Sequence, residues 1–372
     1  MNKKKILTII LIILFIGFVA ERINTNKSNV YEEQNKNSIK KNKNLLSMNL
    51  EQTAGAGDYK TVTQSSWPTE GYEFNTELSR CEKGSELSWD DTKKAVIMQG
   101  NVSDKCYVYF DLIPSMTLAE YVISQYTGVQ GENGIYYHNS SLENGAGDNS
   151  YRYAGASNNV NNYICLGSDA TTCPDANLFR IIGVFGDQTK VIRAKSVGDQ
   201  KWNTSKANAW SSSSLNTYLN GEYLTNLGTL ADKIATTTWK VGGGSSTYLY
   251  DVPTTAYQYE VGSSASTTTY EAKIGLMYAS DYGFAASSSA WTTKLSSYSS
   301  NTSKNWLYLG SYEWTISRYS GGTTGAFVVG GSGGVGSDAV TSSCAARPSF
   351  NLESSVKYVS GSGTIENPIR IN

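Results

Sequence analysis

Hydrophobic and polar residues follow three different rhythms along this chain. Ile6 to Ala20 is an unbroken apolar run, preceded by Lys3-Lys4-Lys5 and closed by Glu21-Arg22. A basic stretch followed by an apolar one marks an export segment, so residues 1–20 read as a signal anchor or signal peptide. As a helix the run rises about 1.5 Å per residue and falls short of a hydrocarbon core of about 30 Å, so flanking residues or local thinning must complete the span. Phe18 sits where signal peptidase wants a small residue, which favours an uncleaved anchor over a secreted, cleaved form. With the lysines on the inner side, the positive-inside rule places the remaining chain outside the cell. Residues 21–58 are rich in Lys and Asn, as in Lys40-Lys41-Asn42-Lys43, and lack a sustained apolar period. They read as a disordered stalk.

From residue 59 the pattern changes to short alternating segments such as Glu86-Leu87-Ser88-Trp89, Lys94-Ala95-Val96-Ile97-Met98 and Lys105-Cys106-Tyr107-Val108-Tyr109-Phe110. In the last, Cys106, Val108 and Phe110 share one face of a strand. Asp90-Asp91-Thr92-Lys93 supplies a hairpin turn. Residues 59–114 are therefore expected to form a small β-sandwich-like module. Thr117-Leu118-Ala119-Glu120 is a capping box, and Leu118, Tyr121, Val122 and Tyr126 follow at helical spacing as far as Gly128. Residues 115–147 read as this capped helix and a connector separating two modules.

Beyond it the period returns to two. Phe179 to Phe185 and Lys190 to Ala194 flank Gly186-Asp187-Gln188-Thr189 as a hairpin. A short helix carries Leu215, Tyr218 and Leu219 behind Ser213 or Ser214. Further strands are expected at Lys273 to Tyr278, Trp306 to Leu309, Tyr312 to Ser317, Ala326 to Val329 and Phe350 to Leu352. The fold class that follows is α+β.

Composition narrows the chemistry. The chain has 372 residues, a formal net charge of -1, 26 Tyr, 8 Trp and one His. The tyrosines and tryptophans replace aliphatic side chains as core material while keeping a polar handle. Because the first fifty residues are net basic, the exported remainder is mildly acidic, which argues against nucleic acid as a partner. A single histidine, His138, cannot build a multi-histidine metal site and leaves one base for histidine-dependent catalysis. No metal and no cofactor is implied. Five cysteines leave one over after pairing. Sequence order favours Cys81 with Cys106 and Cys165 with Cys173, leaving Cys344 as a buried thiol. The stretch Gly330-Gly331-Ser332-Gly333-Gly334-Val335-Gly336 matches both G-x-G-x-x-G and G-x-S-x-G, but neither a helix nor a later histidine follows it. It reads as a loop in which backbones pass closely.

An ordered set of segments carries a resemblance. Asp148-Asn149-Ser150-Tyr151-Arg152-Tyr153, Asn161-Asn162-Tyr163-Ile164-Cys165, Cys173-Pro174, Asn177-Leu178-Phe179-Arg180, Trp314-Thr315-Ile316-Ser317-Arg318 and Ala346-Arg347-Pro348-Ser349-Phe350 together resemble uncharacterised bacterial surface proteins with a C-type-lectin-like terminal domain. The resemblance covers roughly residues 148–372 and implies a fold and a location more than an activity. It implies that Arg318, Arg347, Trp314 and Phe350 belong to the structural core, the arginines needing buried acceptors. Glu366-Asn367-Pro368 has the wrong order for a calcium-lectin triplet and Trp202-Asn203-Thr204 lacks its acid, so calcium-mediated sugar binding is not implied.

The function expected is ligand recognition or adhesion at a bacterial cell surface, without catalysis, toward a glycan or protein that the sequence does not name. The long Gly/Ser/Thr-rich connections between Trp239 and Trp306 are expected to display the aromatic binding surface. Two alternatives stand beside it: an extracellular enzyme acting on glycans or cell wall through Asp/Glu, and a structural spacer. A carboxyl of raised pKa in a cleft would favour the enzyme.

Overall fold

The computed structural model describes residues 46–63, 66–68, 71–101, 103–113 and 115–372. The apolar run 6–20 and the first part of the expected stalk lie outside these residues. Among the described residues no helix is long and apolar enough to cross a membrane. The chain is α+β, with several sheets and few helices, and divides between residues 115 and 116 into two units.

Seven strands build the first unit: β1 (Leu46–Glu51), β2 (Tyr59–Val62), β3 (Tyr72–Phe74), β4 (Arg80–Cys81), β5 (Glu86–Asp90), β6 (Ala95–Gln99) and β7 (Cys106–Leu112). Five form one sheet in the order β2-β1-β7-β3, with β4 also on β7, and β5 and β6 form a separate hairpin. The alternation of β7 works as expected, since Val108 and Phe110 are buried with Met48 and Leu50 of β1, while Leu87, Trp89 and Val96 of the hairpin pack against them. The hairpin turn is held by Asp90, whose carboxylate accepts from the backbone of Thr92 and Lys93.

The stalk expectation needs correction here. Residues 46–51 are a strand that runs parallel to β7 in the register Leu46↔Cys106 to Leu50↔Phe110, so the module begins before residue 59. Lys and Asn dominate the stretch before it, but Met48 and Leu50 alternate with Asn49, whose amide donates to Val108 O and whose oxygen accepts from Thr61. Leu46, Met48 and Leu50 alternate with polar residues, a short period-two signal at the end of the Lys/Asn-rich stretch.

The second unit opens with α1 (Leu118–Ser124), capped at Thr117 by the expected box. It ends at Gln125, earlier than Gly128. Leu118 and Val122 are buried in the main core of this unit, so the helix is part of the second unit and not a connector between two. The strands β8 (Ile135–Tyr137), β9 (Tyr151–Tyr153), β10 (Tyr163–Cys165), β11 (Leu178–Phe185) and β12 (Gln188–Arg193) come next, followed by β13 (Asp199–Lys201), β14 (Thr237–Lys240), β15 (Thr269–Ala272) and β16 (Ile274–Gly275). The chain closes with β17 (Glu313–Arg318), β18 (Gly325–Val329), β19 (Val335–Ala339), β20 (Ser343–Ala345), β21 (Ser349–Leu352), β22 (Tyr358–Ser360) and β23 (Arg370–Ile371). One sheet runs β16-β21-β12-β11-β9-β8 with β10 on β11, and a second runs β13-β20-β17-β18-β19. In sequence between β13 and β17 lie α2 (Ser214–Tyr218), capped by Ser213, α3 (Pro253–Glu260) and α4 (Ala279–Phe284). Trp306 to Leu309 is not a strand, and the expected strand from Lys273 to Tyr278 shortens to β16, because Tyr278 already caps α4.

The glycine-rich stretch resolves as the turn of the β18–β19 hairpin, where Gly330 N–H donates to Gly334 O and Gly333 adopts φ 94°. A Cβ on Gly334 would come within 2.8 Å of Ser296 O, so the backbones do pass closely and no helix N-terminus follows.

Candidate functional site

Charged side chains inside strands are the first place to look for chemistry, since a buried charge requires a partner. Arg347 precedes β21 and is 3% exposed. Its Nε and Nη2 donate to the two carboxylate oxygens of Glu313 on β17 at 2.6 and 2.8 Å, and Nη2 also donates to Leu307 O at 2.6 Å. Burial pushes the Glu313 carboxyl up from its ordinary value, against the pull of Arg347. This is a bidentate structural pair. Trp314 and Phe350 are fully buried beside it in sequence, and Trp314 Nε1 donates to Gln200 O. Arg318 differs, being half-buried at the end of β17 with Nε donating to Gly242 O.

A larger charged centre gathers residues from four segments. Arg152 on β9 donates to Asp148 at 2.6 Å, and its Nη1 lies 3.7 Å from Asp281 of α4. Lys190 on β12 donates to the other oxygen of Asp281 at 2.5 Å. Burial opposes the charge on Asp148, but Arg152 and the hydrogen bonds from Ser150 outweigh it and hold the carboxyl at about 2. Glu260, at the end of α3, is 2% exposed. It accepts from the N–H groups of Ala279 and Ser280 at 3.0 and 2.8 Å and from the Ser317 hydroxyl, and burial raises its pKa despite these bonds.

His138 is fully buried just after β8. Its Nδ1 accepts from Ala146 N–H at 3.0 Å, which puts the ring proton on Nε2, and Phe284 and Trp291 enclose the ring. Burial, then the charge of Arg152, hold its pKa well below the usual histidine range. It is a core side chain with no opening to solvent.

The disulfides Cys81–Cys106 and Cys165–Cys173 are both formed, and Cys344 is free and buried. Cys81 and Cys106 face each other as paired residues of β4 and β7. Cys165–Cys173 closes a short surface loop at the end of β10, and that loop forms one wall of a cleft of about 560 Å³. Gly167, Ser168, Asp169, Ala170 and Thr171 line this wall, Thr229, Leu230 and Lys233 a second, and Val359, Ser360 and side chains between Glu366 and Asn372 the third. Arg370 ties the loop to the chain end through donations to Ser168 O, Ala170 O and Thr171 O at 2.7, 2.8 and 3.3 Å. The lining consists mainly of hydroxyls, amides and charged groups, the equipment for hydrogen-bonding a polar ligand. Neither Glu260 nor Glu313 is part of it.

In the expected binding surface between Trp239 and Trp306, Tyr278, Tyr282, Phe284, Trp291 and Tyr298 are buried in the core, whereas Tyr248, Tyr250, Tyr257, Tyr259 and Tyr270 are half-buried. The cleft instead joins residues about 200 positions apart, and the sequence signals only its local half, a small polar loop between two cysteines. Among the described residues no three His, Cys, Asp or Glu side chains are grouped to hold a metal. Compared with family models, curated proteins and solved structures, the chain matches none.

Proposed function

We propose that this is a bacterial cell-surface protein, held at the membrane through residues 1–20, whose second unit is a C-type-lectin-like domain that recognises a polar ligand without catalysis. Disulfides in both units support an oxidising, extracytoplasmic setting. A mixed α+β domain supports the lectin-like reading, as do two ends that meet where Thr117 pairs with Lys357. The observation that carries the recognition reading is the separation of chemistry from access. The carboxyls pushed above their ordinary value, Glu260 and Glu313, are sealed inside and already hydrogen-bonded. The accessible cleft presents hydroxyl, amide and charged groups around a volume within the usual range of small-ligand sites.

The test is a binding screen of the exported chain against neutral and amino sugars, soluble cell-wall fragments and short peptides. Saturable binding is expected, weakened about tenfold by Asn367→Ala or Lys233→Ala, as befits the loss of one polar contact of about 1.4 kcal/mol. Unchanged binding in both variants would move the site elsewhere on the surface. Cleavage of any fragment during the screen would replace recognition by the enzyme alternative.

A further inference from the structure

Among the described residues, Lys190 and Asp281 form the one deeply buried ion pair whose cation is a lysine. Both are almost fully buried, at 7% and 3% side-chain exposure, and Nζ lies 2.5 Å from Oδ2. The rings of Tyr278, Trp239 and Phe185 surround the amine at 4.7, 5.5 and 5.7 Å. Asp281 has little freedom to turn away. It occupies the first turn of α4, its Oδ2 accepts Tyr278 N–H at 2.8 Å, and Glu260 grips the two preceding N–H groups. We propose that Lys190 and Asp281 are joined covalently, by an amide between Lys190 Nζ and Asp281 Cγ that the fold itself forms.

The step needs no partner from outside. A proton passes from the Lys190 ammonium to the Asp281 carboxylate, and the neutral amine then attacks Cγ. The C–N bond forms, the nitrogen gives up a second proton to the departing oxygen, and the C–O bond breaks. One amide and one water result, with no change of oxidation state. Tyr278 N–H, already on Oδ2, stabilises the negative oxygen of the tetrahedral intermediate and remains on the amide oxygen afterwards. Burial lowers the pKa of Lys190, against the pull of Asp281, and so favours the neutral nucleophile. In open water condensation loses to hydrolysis. Groups held in reacting geometry reach effective molarities of about 10⁵–10⁸ M, and the sealed site excludes the water that would reverse the reaction.

The neighbouring charges are consistent with the change. Amide formation removes one positive and one negative charge together, and Arg152 keeps Asp148 as its own counter-ion at 2.6 Å. Two buried charges that were costly to desolvate disappear. The other deeply buried pair, Arg347–Glu313, cannot follow this course because a guanidinium is not a competent nucleophile. Lys195–Asp175 has the same 2.5 Å separation, but its side chains are 63% and 66% exposed. That pair serves as an internal control.

The experiment is mass measurement on the denatured, purified full chain, followed by a peptide map after reduction. The mass is expected to fall below that of the sequence by one water in addition to the four hydrogens lost to the disulfides. The map should contain one branched peptide joining the Lys190 and Asp281 segments, while the Lys195 and Asp175 peptides run free. Lys190→Arg should restore the missing water. Should that variant fail to fold, the map of the unsubstituted chain decides alone. Recovery of the Lys190 and Asp281 peptides unlinked, or a water loss mapped to another position, overturns the proposal.

Discussion

The first unit buries Met48, Leu50, Val108 and Phe110 as its core, whereas the second buries Trp202, Trp210, Trp239, Trp306 and Trp314 among dozens of apolar side chains. Small size explains the difference in what else each contains. The sheet and hairpin described between residues 46 and 113 enclose too little interior to be stable on burial alone, the situation in which a staple is usually needed, and Cys81–Cys106 bridges the central strand. The second unit has apolar material to spare and encloses charged residues, which then specify how its segments come together. Its disulfide, Cys165–Cys173, ties only a surface loop. The contrast is between a disulfide within the sheet of the first unit and buried lysine or arginine to carboxylate contacts that join distant segments of the second.

Arg347→Ala should break that contrast most sharply. It strands Glu313 in the interior without a counter-charge, and the second unit should lose about 3–5 kcal/mol, read as an earlier denaturant midpoint for that unit with the first unit's transition unmoved. A shift below about 1 kcal/mol would show that Glu313 is kept neutral without its partner. Next in size, replacing Cys81 and Cys106 together by alanine should destabilise the first unit by about 2–4 kcal/mol and leave the second unit's transition in place. If both transitions move together, the two units do not unfold independently.

The smallest effect concerns His138. Its folded pKa is depressed below the ordinary 6.5, so the unfolded chain takes up a proton first as pH falls. Its contribution is therefore fully present above about pH 6.5 and is lost as pH drops from there toward the folded value, at up to about 1.4 kcal/mol per pH unit. Glu260 and Glu313 have raised pKa values and work in the opposite direction, so the measurement is a difference. Stability of the second unit, followed over the unit below pH 6.5, should fall more steeply in the parent than in His138→Gln. Parallel slopes would mean that the ring is protonated in the folded state or reaches solvent.

Several elements could be read directly from the residues. The box of Thr117 and Glu120, the turn at Asp90, the β11–β12 hairpin across Gly186 and Asp187, and the division of four cysteines into two local pairs all rest on interactions spanning a few residues or a single module. Capping, turn chemistry and period need only near neighbours, so sequence order carries them. A charge inside an apolar strand, as at Arg152 or Lys190, or just before one, as at Arg347, announces that a buried partner exists.

Which partner it is depends on distant closure. Lys190 meets Asp281 across 91 residues, Arg347 meets Glu313 across 34, and Arg370 reaches the cysteine loop from 202 positions away. The parallel strand at residues 46–51 likewise reaches β7 across about sixty residues from the end of a polar stretch. These contacts are decided by how whole sheets pack, because the entropy of closing a long loop changes little with its length and leaves many pairings nearly equal until side chains interlock. Local chemistry thus determined the elements and their caps. Tertiary packing alone decided which charges meet in the interior and where the surface opens into a cleft.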